Sequence, residues 1–165
     1  MTLYSDTFST AAGPFSVAVD AEGAVVGAVF GDAGALRERL PGERLNLDPG
    51  RCAEARRQVR AYLAGERRDF TLRVAARGTP FQERVWAALR AIPRGQTVSY
   101  GELAVKVARP GAARAIGAAN ARNPVCLIVP CHRVIAADGG LHGYAFGAAT
   151  KRWLLELEGV TAGLR

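Results

Sequence analysis

The chain has 165 residues, 49% of them apolar, which is enough for a real core and excludes a disordered chain. No stretch approaches the roughly 18 consecutive apolar residues of a membrane helix, so no membrane partner is expected. Net charge is +7, and all the basic residues except Lys106 and Lys151 are arginines, so nucleic-acid binding is allowed without being required, because an arginine-rich codon bias gives the same excess.

The opening "MTLYSDTFST" has neither a basic start nor an apolar segment of signal-peptide type, so a cytoplasmic protein is expected. "FSVAVD" (15–20) and "AVVGAVF" (24–30) are short, β-branched and joined through Ala-Glu-Gly, which predicts a hairpin. "GALRERL" and "CAEARRQVRAYLAG" predict helices around a loop, "PGERLNLDPGR". In the second helix Val59, Tyr62 and Leu63 form the inner face, and Arg56, Arg57 and Arg60 a solvated one. "DFTLRVAA" (69–76) predicts a returning strand, so residues 1–77 read as a small sheet-and-helix lobe.

A boundary follows near "RGTP", with residues 78–165 as a second domain. Thr79, Pro80 and Gln82 are a helix start, and "FQERVWAALRAI" should bury Phe81, Val85, Trp86 and Leu89 before Pro93 and Gly95 stop it. Ser99 caps a helix through "YGELAVKVA", "RPG" breaks it, and "AARAIGAANAR" begins another. That is the spacing of a helix-turn-helix, although most helical hairpins bind no DNA. With Ile116 as core anchor of the second helix, Arg114 lies roughly 200° away, and Gly117, Ala118 and Ala121 share its outward side. Small residues let a helix backbone approach a surface closely; an alanine-rich exposed helix has the same pattern.

"VCLIV" (125–129) is fully apolar and reads as a buried strand that Pro130 should end. Cys131, His132 and Arg133 follow at once. Cys126, inside the apolar run, and Cys52 read as inert core thiols. Cys131 is either another of these or a nucleophile emerging at a strand end, its thiolate favoured by nearby positive charge. His132 can help it only if the chain turns, since strand neighbours point to opposite faces. A glycine-rich loop, "AADGGLHGYAFG", leads to a last helix, "ATKRWLLELEG". Glu158 projects near the middle of that helix's apolar face, where it needs a histidine or arginine partner unless the end frays into water. Three cysteines and two histidines, without C-x-x-C or H-E-x-x-H, predict no metal, and a reducing compartment predicts no disulfide. A papain-like hydrolase is disfavoured because Cys131 and His132 are adjacent and His142 is the sole other histidine. Attack on an alkyl carbon needs a thiolate, a proton source and a positioned substrate, but no oxyanion hole.

"PCHRV", preceded by "NPVCLIV" and followed by "GYAFG", resembles the signature of the O6-alkylguanine-DNA alkyltransferases, also called methylated-DNA–protein-cysteine methyltransferases. The resemblance runs through "GTPFQERVWAALRAIPRGQTVSYGELA", "GAARAIGAANARNP" and "KRWLLELEG", and the N-terminal "YSDTFSTAAGPFSVAV" resembles the family's more variable front lobe. It implies an α/β (α+β) fold: a ribonuclease-H-like N-terminal lobe, then a mainly helical lobe with a helix-turn-helix and a short active-site strand. It implies a suicidal DNA repair enzyme without cofactor, a monomer that binds duplex DNA through the minor groove. That enzyme flips out a guanine alkylated at oxygen-6, or a thymine alkylated at oxygen-4, and keeps the alkyl group on Cys131. By the same resemblance His132 takes the thiol proton through a water, Glu158 orients His132, and Asn123 ties the recognition helix to the active-site strand. Arg114 enters the base stack, with Ala115, Gly117, Ala118 and Ala121 around it against the DNA. Tyr100 presses on a phosphate and serves guanine N3. The carbonyls of Cys131 and Val134 read the exocyclic amine, the Ala145 amide approaches oxygen-6, and Tyr144 walls the pocket. Arg133 is chiefly structural. Phe146 and Asn120 depart from some relatives; Phe146 is expected to narrow the pocket. The competing reading is a helix-turn-helix alkylation sensor without repair activity.

Overall fold

The computed structural model describes residues 1–160, 163 and 164, and the chain falls into two compact units. The first is Met1–Arg77 together with Pro124–Ile128; the second is Gly78–Asn123 together with Val129–Arg165. The short segment at 124–128 therefore belongs with the N-terminal unit, although it lies within 78–165.

The first unit is built on a four-stranded sheet in the order β3-β2-β1-β4. Strands β1 (Thr2–Thr10), β2 (Gly13–Val19) and β3 (Val25–Phe30) form an antiparallel meander, with Phe8 opposite Phe15 and Phe15 opposite Phe30. The Phe15 and Phe30 rings meet edge to face at 5.0 Å, a geometry that the ring quadrupoles favour. The predicted hairpin is β2–β3. The predicted helices are α1 (Ala33–Arg39), capped by Asp32, and α2 (Ala53–Leu63), which buries Val59, Tyr62 and Leu63.

Two expectations fail here. The stretch read as a loop contains β4 (Arg44–Leu47), paired in parallel with β1. Its four residues are mostly exposed, so no buried alternation marked it. The predicted strand at 69–76 is reduced to a single bridge: Val25 donates to Arg73 O and accepts from Ala75 N, both at 2.9 Å. β-Branched composition raised the expectation, but pairing at one position is all that this edge forms.

The second unit contains α3 (Pro80–Arg90), α4 (Tyr100–Lys106), α5 (Ala113–Ala121) and α6 (Ala148–Leu157), with a two-residue parallel pair, β5 (Val98–Ser99) and β6 (Val134–Ile135). Thr79 and Gln82 close a capping box on α3, and Ser99 and Glu102 close another on α4. Each satisfies two backbone N–H groups that a helix start leaves unpaired. Val85, Trp86 and Leu89 are buried as predicted, whereas Phe81 is half-buried under the Arg109 guanidinium. The Trp86 indole N–H donates to Ala119 O at 2.9 Å, fastening α3 to α5. α4 and α5 form the helix-turn-helix, with Ile116, Ala119 and Asn120 facing inward. Among the described residues no helix is long and apolar enough to cross a membrane.

The apolar run at 125–129 is buried throughout, but it is not a strand. Val125 forms an isolated bridge with Ala28, and Leu127 turns into the left-handed region at φ +72°. Ile128 N then bonds to Cys126 O at 2.9 Å, and Cys131 N to Val129 O at 2.8 Å. These bonds each span two residues and fold the chain on itself, so there is no ladder for Pro130 to end.

The α3 cap gives a direct stability test. Thr79→Ala should lower the unfolding free energy by about 1 kcal/mol, seen as a lower urea midpoint with unchanged circular dichroism.

Candidate active site

Pro130 leads into a single 3₁₀ turn, Cys131–Arg133, whose three side chains are all buried. The turn settles a geometric doubt. Cys131 and His132 do not alternate across a strand; they sit on one tight turn. Cys131 is 3% exposed, so it lies within the site and does not protrude.

Glu158 joins this turn to the end of α6. It stands at the helix C-cap, 5% exposed, and the frayed-end reading fails. His132 Nε2 lies 2.9 Å from Glu158 Oε2. Arg133 grips the same carboxylate as a fork, with Nε on Oε1 and Nη2 on Oε2, each at 2.9 Å. Its remaining Nη1 donates to Ile92 O at 2.7 Å, at the end of α3. Burial opposes ionisation of Glu158, but the hydrogen bonds and charges of His132 and Arg133 outweigh it and hold the carboxyl well below the usual carboxylate range. Arg94 adds a donor to Leu157 O at 3.0 Å, placing a cation at the C-terminal end of α6.

Two asparagines on the other side tie α5 to the turn. Asn123, fully buried, donates to Val129 O at 2.9 Å. Asn120 donates to Cys131 O at 3.3 Å.

Lys151 escaped the sequence reading. It is 1% exposed and its ammonium donates to Val134 O at 2.5 Å. It also lies 5.8 Å from the centre of the Tyr144 ring. Burial pushes its pKa down to about 8, against the opposing pull of Cys131. A signal was available: Lys151 is one of two lysines in an arginine-rich chain, and it precedes Leu154 and Leu155 by three and four residues, on the core face of α6.

Tyr100 begins α4, and burial raises its hydroxyl pKa, helped by the negative charge available at Cys131. A Cβ added at Gly117 would lie 3.9 Å from the Tyr100 ring, so α5 meets α4 through its small residue. Val134 is buried, Tyr144 and Phe146 are half-buried with rings 5.5 Å apart edge to face, and Ala145 is exposed. Arg114 stands apart, exposed on the outer face of α5 with Ala115, Ala118 and Ala121, Gly117 being half-buried. Among the described residues no group of three histidine, cysteine or acidic side chains could hold a metal. Cys52 accounts for another thiol: burial pushes its pKa up to about 12, and its Sγ lies 3.5 Å from Tyr4 O.

A family model described as the 6-O-methylguanine DNA methyltransferase DNA-binding domain matches residues 80–160. The methylated-DNA–protein-cysteine methyltransferase of Mycobacterium tuberculosis is 56% identical over 111 residues, 67% of each chain. The one from Salmonella typhimurium is 61% identical over 99 residues, 59% of this chain and 58% of its own. The crystal structure of Mycobacterium tuberculosis O6-methylguanine methyltransferase superposes with a TM-score of 0.82 at 42% identity, covering 94% of this chain and 92% of the other. The Mycobacterium tuberculosis protein OGT in complex with DNA gives 0.83 at 41% identity, covering 97% and 96%.

A helix-turn-helix next to a buried cysteine–histidine–glutamate cluster, with these relatives, defines the class as DNA-binding alkyl transferases. The chain belongs to the methylated-DNA–protein-cysteine methyltransferase family, and it is an enzyme of DNA repair.

The Glu158 cluster sets a pH dependence. Its folded pKa lies below the ordinary carboxylate value of about 4.3. As pH falls past that value the unfolded chain takes up a proton that the folded chain refuses, so stability is lost with acid. Urea midpoints followed from about pH 7 to about pH 3 should fall less steeply in Glu158→Gln than in wild type. At neutral pH the same variant should be weaker by roughly 3–5 kcal/mol, since it leaves the buried Arg133 charge uncompensated.

Proposed function

We propose that the chain removes the alkyl group from O6-alkylguanine in duplex DNA, transferring it irreversibly to Cys131 in a single turnover. The observation that carries this reading is the 2.9 Å bond between His132 and an ionised Glu158, on the same buried turn as the thiol. With Nε2 engaged by Glu158, the other ring nitrogen, Nδ1, is buried and has no hydrogen-bond partner among the described residues. A water bridging Nδ1 and the sulfur would take the thiol proton, and the ionised carboxylate would stabilise the resulting imidazolium. The thiolate attacks the alkyl carbon, forming the S–C bond as the C–O6 bond breaks. The electron pair passes to the purine, and Tyr100 donates a proton toward N3, so guanine departs neutral. Proton transfer from His132 through water restores the tyrosine, and the net proton moves from thiol to base. A thioether has no leaving group that water displaces readily, so each molecule acts once.

The target must leave the base stack to reach Cys131, a residue that is 3% exposed. Base flipping costs a few kcal/mol of unstacking. Arg114, exposed on a face of small residues, is suited to fill the vacated gap from the minor groove and offset part of that cost. Asn123, donating across from the end of α5 to Val129 O, couples this helix to the reactive turn. A monomer working in the cytoplasm and acting on O4-alkylthymine as a lesser substrate completes the proposal. A sensor without repair activity would leave the His132–Glu158 arrangement beside a thiol unexplained.

Intact mass gives the decisive test. Incubation with a duplex carrying O6-methylguanine should add one methyl in place of one hydrogen, mapped to Cys131 and absent in Cys131→Ser; an unchanged wild-type mass defeats the proposal. Pocket width is separately testable. Phe146, packed edge to face on Tyr144, should hinder bulky adducts. Inactivation by free O6-benzylguanine should therefore be faster in Phe146→Gly, and equal rates would show that Phe146 does not limit entry.

A further inference from the structure

Two buried cations lie in the second unit, and one of them lacks a carboxylate. Arg133 faces the ionised Glu158. Lys151 is 1% exposed, yet among the described residues its ammonium forms no ion pair with a carboxylate and has one hydrogen-bond acceptor, Val134 O at 2.5 Å. Glu158 closes the same helix, but both of its oxygens are taken by Arg133 and His132. The Lys151 ammonium also lies 5.8 Å from the centre of the Tyr144 ring. A carbonyl and a ring face do not repay the desolvation of an ammonium. Two states relieve that cost: loss of the proton, or an anion close by.

The anchor point favours the second. Val134 closes the reactive turn: its own N–H donates to Cys131 O while its carbonyl holds Lys151. Lys151 is thereby fixed to the turn that carries the nucleophile, and the charge of Cys131 acts on it there. The other titratable and charged groups around the pair offer no anion. His132 and Arg133 are engaged on Glu158. Tyr100, at the start of α4, is made harder to ionise by burial and by the same sulfur. Tyr144 contributes its ring. Among the described residues the Cys131 thiolate is the anion left for Lys151.

We propose that Lys151 is the counter-ion of the Cys131 thiolate, a positioning residue whose charge holds the sulfur in its nucleophilic form while His132 carries the proton away. This deepens the alkyl-transfer reading above and rests on it for the reaction. Lys151 keeps its protons throughout. The thiol proton goes to His132 through water, and when the S–C bond forms the negative charge passes from sulfur to the purine. Coupling of this kind is reciprocal: what the thiolate adds to the stability of the ammonium, the ammonium adds to that of the thiolate. Removing the sulfur therefore lowers the pKa of Lys151, and removing Lys151 raises that of the thiol.

The chain has two lysines, so protein labelled with carbon-13 at lysine Cε gives two NMR signals, with exposed Lys106 as the internal reference. The titration midpoint of Lys151 should fall by about one pH unit or more in Cys131→Ser, the effect of losing a close opposite charge, while Lys106 does not move. An unchanged Lys151 midpoint would overturn the proposal, and this arm needs neither DNA nor a substitution at Lys151. Single-turnover methyl transfer from a duplex carrying O6-methylguanine is then followed against pH. Lys151→Met should be slower by about tenfold or more at neutral pH, and should regain rate as pH rises through the raised thiol pKa. A deficit equal at every pH would mark a merely structural lysine and overturn the proposal. Should Lys151→Met fail to fold, the NMR comparison decides alone. Failure of the wild type to accept methyl would instead overturn the transfer reading, with the charge pair still decided by NMR.

Discussion

The second unit depends on one buried carboxylate. Glu158 accepts two bonds from Arg133 and one contact from His132, all at 2.9 Å. Burying an anion is expensive, and only a partner of matching geometry offsets the cost. The guanidinium provides that match as a fork, and its third nitrogen continues to the end of α3 through Ile92 O. A single charge pair thus joins the close of α3, the close of α6 and the reactive turn. Fixing Glu158 against Arg133 also presets the imidazole, which has to be oriented before it can handle a proton. In the proposed mechanism structural support and proton management share the same two oxygens.

The backbone around Cys131 serves that arrangement through turns. Leu127 takes φ +72°, successive two-residue bonds tighten the chain, and a 3₁₀ turn then carries cysteine, histidine and arginine, all three buried. A regular strand would have sent alternate side chains to opposite faces and separated His132 from Cys131. Asn120 of α5 and Asn123 just beyond its end hold this irregular segment by its carbonyls, at Cys131 and Val129. α5 therefore carries an exposed arginine on one face and grips the active-site backbone with the other. That gives DNA contact and chemistry a short mechanical connection.

Lys151 adds a second buried cation beside Arg133. Its ammonium is pressed toward neutrality by burial and drawn back by Cys131. Tyr100 feels the same sulfur in the opposite sense. A charge on the Cys131 thiol would favour the protonated form of both groups, although burial is the larger influence on each.

Much of this was legible along the chain. Capping boxes at Thr79 and Ser99, the Pro-Gly break between α4 and α5, and the period of the apolar faces are local signals, and local signals define helices wherever the caps are explicit. The motif around Cys131 resembled a known signature, and the carboxylate of Glu158 on an apolar face announced that it needed a partner. The chain alone could not supply what depends on distant residues. β4 is exposed and has the composition of a loop, and it became a strand only because β1 offered a paired edge. Residues 69–76 and 125–129 look like strands by composition, yet pairing is a property of two segments, and their neighbours allowed only isolated bridges. Sequence determined which residues are candidates for the chemistry and where the helices begin and end. Tertiary structure decided which of them meet: that Arg133 and His132 share Glu158, that Lys151 is held on Val134, and that Asn120 holds Cys131 O. Charge pairing and burial are set by residues far apart in the chain, and no local periodicity records them.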